Sequence, residues 1–150
     1  MVLKDYWFFI WSIFIVEKLI LYVTAEEKID EIKNKNILVT GGCGFIGSEV
    51  VKQLSKLGAN ITIIDNLSSG KEDYVKGLPN TELIIAELSD LEQIKKSVKN
   101  KDYVIHLAAL PFIPDSYYYP MKFFDVNVNA TIGLFLENIK KKKIKRFVHI

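Results

Sequence analysis

From residue 36 onward, short apolar runs alternate with segments whose apolar residues recur at helical spacing. The predicted strands are residues 37–40, 61–64, 82–86, 103–107 and 144–150, and the predicted helices are residues 45–57, 90–99 and 121–139. Strands joined by helical crossovers demand a parallel sheet with helices on both faces. The sequence therefore predicts an α/β fold, a Rossmann-type doubly wound parallel sheet of about five strands in the order 3-2-1-4-5.

The length and composition of the chain suit one folded domain. It has 150 residues, of which 49% are apolar and 25% are charged, so a disordered chain is excluded. Twenty Lys and Arg against eighteen Asp and Glu leave a net charge of +2, which is too balanced for a chain-wide nucleic-acid surface, so no nucleic-acid partner is predicted. With one cysteine and two histidines we expect no disulfide, no metal site, and a reducing, cytoplasmic compartment.

The first 35 residues differ in character from the rest. Residues 6–23 form an apolar stretch that Glu17 and Lys18 interrupt. Its eighteen residues are barely sufficient for a membrane-spanning helix, which needs roughly 20. Three interpretations stay open: a signal anchor or interfacial helix, a helix packed on the domain, and non-native upstream sequence. We therefore expect a helical extension over residues 1–35, which would tether the protein to the cytoplasmic face of a membrane if it anchors, ahead of a domain over residues 36–150.

A glycine-rich turn, Gly41-Gly-Cys-Gly-Phe-Ile-Gly47, directly follows the first strand and opens the first helix. Its spacing satisfies both G-x-G-x-x-G and G-x-x-G-x-x-G. The early glycines allow a tight turn, Gly44 removes the Cβ that would block a pyrophosphate, and Gly47 lets the helix approach the sheet. Because backbone N–H groups and the positive end of the helix dipole attract anions, a pyrophosphate would cap this helix. The turn predicts a dinucleotide site at the carboxyl ends of the strands.

An acidic residue follows at the distance that a dinucleotide site requires. Asp65 lies twenty-four residues after Gly41, at the end of the second strand. A carboxylate there accepts hydrogen bonds from ribose hydroxyls and repels a 2′-phosphate, so we predict NAD rather than NADP. The alternative is a solvated aspartate in a turn. Cys43, inside the glycine turn, is interpreted as a small spacer rather than a reactive thiol.

Four motifs occur in order: TGGCGFIGS at residues 40–48, DNLSSG at 65–70, VIHLAA at 104–109 and NVNAT at 127–131. Together they closely resemble the nucleotide-sugar epimerase/dehydratase family, the extended short-chain dehydrogenases/reductases, from about residue 35 to residue 150. The chain departs from the family pattern at Glu87 and Leu88, where Asp-Ile is usual, and at Ala130, where Gly is usual. Neither departure argues against NAD.

The resemblance implies which residues bind NAD. They hold the pyrophosphate, the adenosine ribose and nearby phosphate, the adenine, and the nicotinamide side, and one more lies in the long helix. In that order they are Gly41, Gly44, Phe45, Ile46 and Gly47; Asp65, Asn66, Ser68, Ser69 and Gly70; Glu87 and Leu88; Leu107, Ala108 and Ala109; and Asn127.

The resemblance also implies a chemistry. In the family, hydride removal from sugar C4 to NAD gives a 4-keto intermediate, and a Tyr-x-x-x-Lys pair shortly after the fifth strand acts on the sugar hydroxyl. This chain ends at Ile150, before such a pair, so no catalytic residue is assigned. Tyr118 and Lys122 have the same spacing but precede the long helix, and they are not accepted as substitutes.

The resulting expectation is the NAD-binding portion of a nucleotide-sugar 4-epimerase or 4,6-dehydratase, inactive as this fragment. Its nucleotide-sugar substrate would be completed by a C-terminal part outside the chain, and the resemblance implies a homodimer for the complete protein. The alternatives are a non-catalytic NAD-binding sensor or interaction module, and a membrane-tethered scaffold with a vestigial fold. His106, at the end of the fourth strand, is predicted to make structural hydrogen bonds rather than act as an acid or base.

Overall fold

The computed structural model describes residues 29–141 and 144–150. Its centre is a five-stranded, all-parallel sheet in the order β3-β2-β1-β4-β5, which confirms the predicted fold class and strand order. The strands are β1 Asn36–Thr40, β2 Asn60–Asp65, β3 Thr81–Ile85, β4 Tyr103–His106 and β5 Arg146–His149. The predicted anchor at residues 6–23 lies outside the described residues. Within the described part of the chain, no helix is long and apolar enough to cross a bilayer.

Helices cover both faces of the sheet. They are α1 Ile29–Ile32, α2 Phe45–Lys56, α3 Leu91–Ser97, α4 Ile113–Tyr118, α5 Pro120–Phe124 and α6 Ala130–Lys141, with a 3₁₀ turn at Glu72–Tyr74 and a π-helical stretch at Asp125–Asn129. The continuous helix predicted over residues 121–139 is therefore α5, the π-helical stretch and α6 in succession. The short helix α4 was not predicted from the sequence.

The central strand β1 shows why the strands are apolar without alternation. Ile37 and Val39 join a buried cluster with α2 on one face of the sheet. Leu38, between them, joins a second cluster with α3 and α6 on the other face. Each of these side chains is fully buried, which contributes roughly 1.5–3 kcal/mol per residue to folding. A strand that is covered on both faces has no polar side to present.

The register of the sheet aligns the ends of three strands. Thr40, the last residue of β1, is paired with Ile64 of β2 and with His106 of β4. From this point the chain leaves β1 towards α2 and β2 on one side, while β4 lies on the other side. Such a reversal of strand order opens a crevice at the carboxyl ends, where parallel sheets bind ligands.

Candidate functional site

A cleft of about 460 Å³ opens at this reversal, within the usual volume range of small-molecule sites. Fourteen of the sixteen residues predicted to bind NAD line it. Gly70 and Asn127 are not among the described lining residues; Gly70 lies against Cys43, and Asn127 binds Leu110. The lining residues that were not predicted are Ile64, Ala86, Leu110, Pro111, Val126 and Ile150.

The unpredicted lining residues fall into two groups. Ile64, Ala86, Leu110, Pro111 and Val126 lie within two positions of predicted residues, so extending each motif by one or two positions would have included them. Ile150 arrives from the end of β5, and no local sequence signal marks it.

The glycine turn is shaped by close backbone approaches. Gly41 has a φ of +71°, and a Cβ on it would lie 2.8 Å from the Ala108 nitrogen. A Cβ on Gly47 would lie 2.0 Å from the Gly41 carbonyl oxygen, far inside van der Waals contact. Gly44 is the N-cap of α2 and supplies no side-chain cap, and residues 45–47 of the first turn line the cleft. A twelve-residue helix therefore points its uncapped N-terminus into the cleft, an arrangement suited to an anion.

Asp65 braces the glycine turn as well as facing the cleft. Only 8% of its surface is exposed, Oδ2 accepts the Cys43 N–H at 2.9 Å, and Oδ1 accepts the Leu67 N–H at 2.8 Å. A carboxylate offers about four acceptor positions, so about two remain for the hydroxyls of a ribose. The sequence predicted only the ligand-facing role, because the bond to Cys43 joins residues that are 22 positions apart.

Cys43 is held by its backbone on both sides. Its N–H donates to Asp65, and its carbonyl oxygen accepts the Lys71 N–H at 3.0 Å. A Cβ on Gly70 would lie 2.8 Å from the Cys43 carbonyl carbon, so Gly70 lets the two loops meet. Burial, with smaller contributions from Asp65 and Glu72, raises the pKa of the Cys43 thiol to about 11. The thiol stays neutral near pH 7, as expected of a spacer.

Asn66 and Glu87 meet at the rim of the cleft. The Asn66 amide Nδ2 donates to both Glu87 carboxylate oxygens at 3.1 Å, and Asn66 Oδ1 accepts the Ser68 N–H at 3.0 Å. Leu67, between Asn66 and Ser68, has a φ of +58°, which is unusual for a non-glycine residue. Glu87 is therefore anchored to the loop that follows β2.

His106 is completely buried behind the cleft and does not line it. Its Nδ1 lies 2.6 Å from the Thr40 hydroxyl and its Nε2 lies 2.8 Å from the Thr131 hydroxyl. Burial, and then the neighbouring His149, lowers the pKa of His106 to about 4. A neutral, hydrogen-bonded and enclosed ring supports the structural role predicted for this residue.

The lowered pKa of this buried histidine predicts that the stability of the chain depends on pH. His106 has a pKa of about 4 in the folded chain and about 6.5 once unfolded, so between these values the unfolded chain binds a proton that the folded chain does not. The free energy of unfolding should therefore fall by roughly 2 kcal/mol between pH 7 and pH 5. Urea titrations at the two pH values measure this. In His106→Gln, which has no titrating ring here, most of the difference should vanish; an unchanged pH dependence would contradict the assignment.

Asn127 contacts the segment after β4 rather than the cleft. Its Oδ1 accepts the Leu110 N–H at 2.8 Å, and its Nδ2 donates to the Leu110 carbonyl oxygen at 3.1 Å. One side chain thus clamps both backbone groups of a residue that lines the cleft. The π-helical stretch that contains Asn127 places this amide opposite Leu110.

The fold and this geometry can be compared with known proteins. Residues 37–150, which are most of the chain, match the model of the NAD dependent epimerase/dehydratase family. The chain belongs to that family. It is 34% identical over 123 residues to a putative UDP-arabinose 4-epimerase of Arabidopsis thaliana, a match that covers 76% of this chain and 28% of that protein.

Solved structures of family members agree with the fold. The UDP-N-acetylglucosamine 4-epimerase of Methanobrevibacter ruminantium, in complex with UDP-N-acetylmuramic acid, is 42% identical with a TM-score of 0.70, covering 77% of this chain and 37% of that one. The Bordetella bronchiseptica enzyme WbmF in complex with NAD⁺ is 30% identical with a TM-score of 0.73, covering 79% and 36%. The chain therefore spans about a third of the length of these relatives.

Tyr118 and Lys122 lie on two separate helices, outside the cleft. Tyr118 ends α4 with 79% of its surface exposed, and Lys122 is an exposed residue of the separate helix α5. Neither lines the cleft, whose titratable side chains, within the described residues, are Asp65 and Glu87. The two residues therefore have the Tyr-x-x-x-Lys spacing in the sequence but do not lie at the cleft.

Proposed function

We propose that this chain is the NAD-binding portion of a nucleotide-sugar 4-epimerase or 4,6-dehydratase. The observation that carries the proposal is the cleft at the carboxyl ends of β1, β2 and β4. Three features meet there: the glycine turn, the uncapped N-terminus of α2 and the buried carboxylate of Asp65. These are the three features that a dinucleotide requires for its pyrophosphate and its ribose.

The lining residues fit NAD along its length. The first-turn amides of α2 would hold the pyrophosphate, Asp65 would accept the adenosine ribose hydroxyls, and residues 107–109 would flank the nicotinamide. Cβ atoms at Gly41 and Gly47 would collide with the backbone of Ala108 and of Gly41, so these glycines allow the tight turn that brings the α2 N-terminus to the cleft. When bound, NAD supplies a reversible hydride acceptor for a sugar carbon. The chain's own contribution is to bind and orient the cofactor.

We propose a nucleotide sugar as the partner of the cofactor. The relatives named above are described as 4-epimerases of UDP-arabinose and of UDP-N-acetylglucosamine, and the latter was solved with a UDP-sugar bound. Since the chain spans about a third of these proteins, most of the sugar-binding surface would come from elsewhere in the complete enzyme.

The proposal predicts cofactor binding without turnover. We expect the 150-residue chain to bind NAD with saturable one-to-one stoichiometry in calorimetry, and to form neither 4-epimers nor 4-keto sugars from UDP-, GDP- or dTDP-sugars. Positioned acid–base groups contribute roughly 10²–10⁴-fold to such reactions, and the cleft has only Asp65 and Glu87 as described titratable side chains, both on the side proposed for adenosine.

Three outcomes discriminate between the possibilities. Absence of NAD binding would contradict the proposal. Turnover that is lost in Tyr118→Phe would show that the rejected tyrosine is catalytic. If a longer protein that contains this sequence bound NAD but converted no nucleotide sugar, a non-catalytic NAD-sensing module would be favoured instead.

A further inference from the structure

A continuous chain of hydrogen bonds runs behind the wall of the cleft. The Ala108 N–H donates to the Thr40 hydroxyl at 3.3 Å, and that hydroxyl meets Nδ1 of His106. On the far side of the ring, Nε2 meets the Thr131 hydroxyl, which donates to the Asn127 carbonyl oxygen at 2.9 Å. The Asn127 side chain then binds both backbone groups of Leu110.

One neutral tautomer of His106 satisfies every donor and acceptor in this network. When Thr131 gives its only hydroxyl proton to the Asn127 carbonyl, its oxygen accepts a proton from Nε2 of the ring. Nε2 therefore carries the ring hydrogen, and Nδ1 accepts the hydroxyl proton of Thr40. The Thr40 oxygen can accept the Ala108 N–H at the same time, because a hydroxyl has acceptor lone pairs besides the proton that it donates.

The residues at the two ends of this series of hydrogen bonds both line the cleft. Ala108 and Leu110 belong to the segment after β4 that lines the side proposed for nicotinamide. Ala108 is also the residue against which Gly41 packs, since a Cβ on Gly41 would touch its nitrogen. Any shift of this segment would therefore alter the cleft wall and the neighbouring glycine turn together.

Two aromatic rings of β5 pack against the buried His106 ring. The His149 ring stacks on it with centroids 5.0 Å apart and an interplanar angle of 20°, and the Phe147 ring lies 6.2 Å away. With His106 fully buried, water cannot readily replace a lost partner, so each bond in the chain constrains the next.

We infer that His106, as the Nε2–H tautomer, is a positioning residue that fixes the nicotinamide-side wall at residues 107–111 through Thr40 and Thr131. The inference rests on the proposed function for the identity of the ligand on that wall. The hydrogen bonds from Thr40 through His106 and Thr131 to Asn127 are called the relay below. Breaking the relay should weaken binding of the nicotinamide half of NAD and hardly change binding of the adenosine half, which is proposed to lie on the other side of the cleft.

The test compares NAD with ADP on matched threonine variants of the 150-residue chain. Thr131→Val, which is isosteric but has no acceptor for Nε2–H, should weaken NAD binding about fivefold to tenfold, the effect expected for one buried hydrogen bond. ADP binding should stay within about twofold. Thr131→Ser keeps the hydroxyl and should restore NAD affinity, while Thr81→Val, a threonine in β3 away from the cleft, should change neither affinity. Equal losses for NAD and ADP would overturn the inference, because they would indicate general destabilisation.

A second measurement needs no ligand. Long-range proton–nitrogen correlation spectra of ¹⁵N-labelled chain at pH 7 should show His106 with a protonated Nε2 and an unprotonated Nδ1, and the Nδ1–H tautomer would overturn the inference. If the unmutated chain bound neither NAD nor ADP, the proposed function would fail, and the spectrum would still decide the arrangement of the relay.

Discussion

Gly47→Ala should reduce NAD binding by the 150-residue chain more than a hundredfold. A Cβ at this position would lie 2.0 Å from the Gly41 carbonyl oxygen and 2.8 Å from both the Gly41 carbonyl carbon and the Gly42 Cα. All three are backbone atoms, so no side-chain rotation can relieve the overlap. Gly41 cannot retreat either, because its N–H binds the Ile64 carbonyl at 2.8 Å and its other side abuts Ala108. The first turn of α2 must therefore move away from the start of the glycine turn at Gly41 and Gly42.

Calorimetric titration with NAD measures this effect, and Gly77→Ala is the matched control. Gly77 has a φ of +77°, but a Cβ at this position would meet no heavy atom within 4 Å, so its replacement introduces backbone strain without a clash. We expect this control to cost roughly 1 kcal/mol of stability and to leave NAD affinity unchanged. If the NAD affinity of Gly47→Ala stayed within threefold of that of the unmutated chain, the glycine turn would not be the pyrophosphate site.

The sheet could be predicted from the sequence because its signals are local. Residues 61–64 were predicted as the second strand and β2 is Asn60–Asp65, while residues 103–107 were predicted as the fourth strand and β4 is Tyr103–His106. Strands buried on both faces are continuous apolar runs, which stand out in the sequence. The interruption of the long helix at Asp125–Asn129 has no such local mark.

The site was predictable only on its ligand-facing side. Glycine spacing and the distance to Asp65 follow from what a dinucleotide needs, whatever the rest of the fold does. The contacts that support these residues join distant positions: Cys43 with Asp65, Asn66 with Glu87, and His106 with Thr131 are separated by 22, 21 and 25 residues. Which side chains meet across such separations is decided by strand register and helix packing, which a single sequence does not display.

The double role of Asp65 leads to the second large prediction. The unmutated chain should bind NAD at least tenfold more tightly than NADP, because a 2′-phosphate would face a carboxylate that is buried and poorly screened. Asp65→Asn should lose roughly tenfold in NAD affinity and should narrow the preference for NAD over NADP. The amide keeps the size of the side chain and one acceptor oxygen, but its NH₂ group cannot accept the N–H of Cys43 or Leu67.

Two effects of this substitution can be separated by their ligand dependence. Loss of the brace on the glycine turn should weaken NAD and NADP alike, whereas loss of the negative charge should weaken NAD and relieve the repulsion of NADP. The ratio of the two affinities therefore reports the charge, and their common decrease reports the brace. Asp73→Asn, which removes an exposed carboxylate from the 3₁₀ turn, controls for net charge and should leave the ratio unchanged. Equal binding of NAD and NADP by the unmutated chain would refute the assignment of Asp65 to the ribose, even if its bonds to the glycine turn are retained.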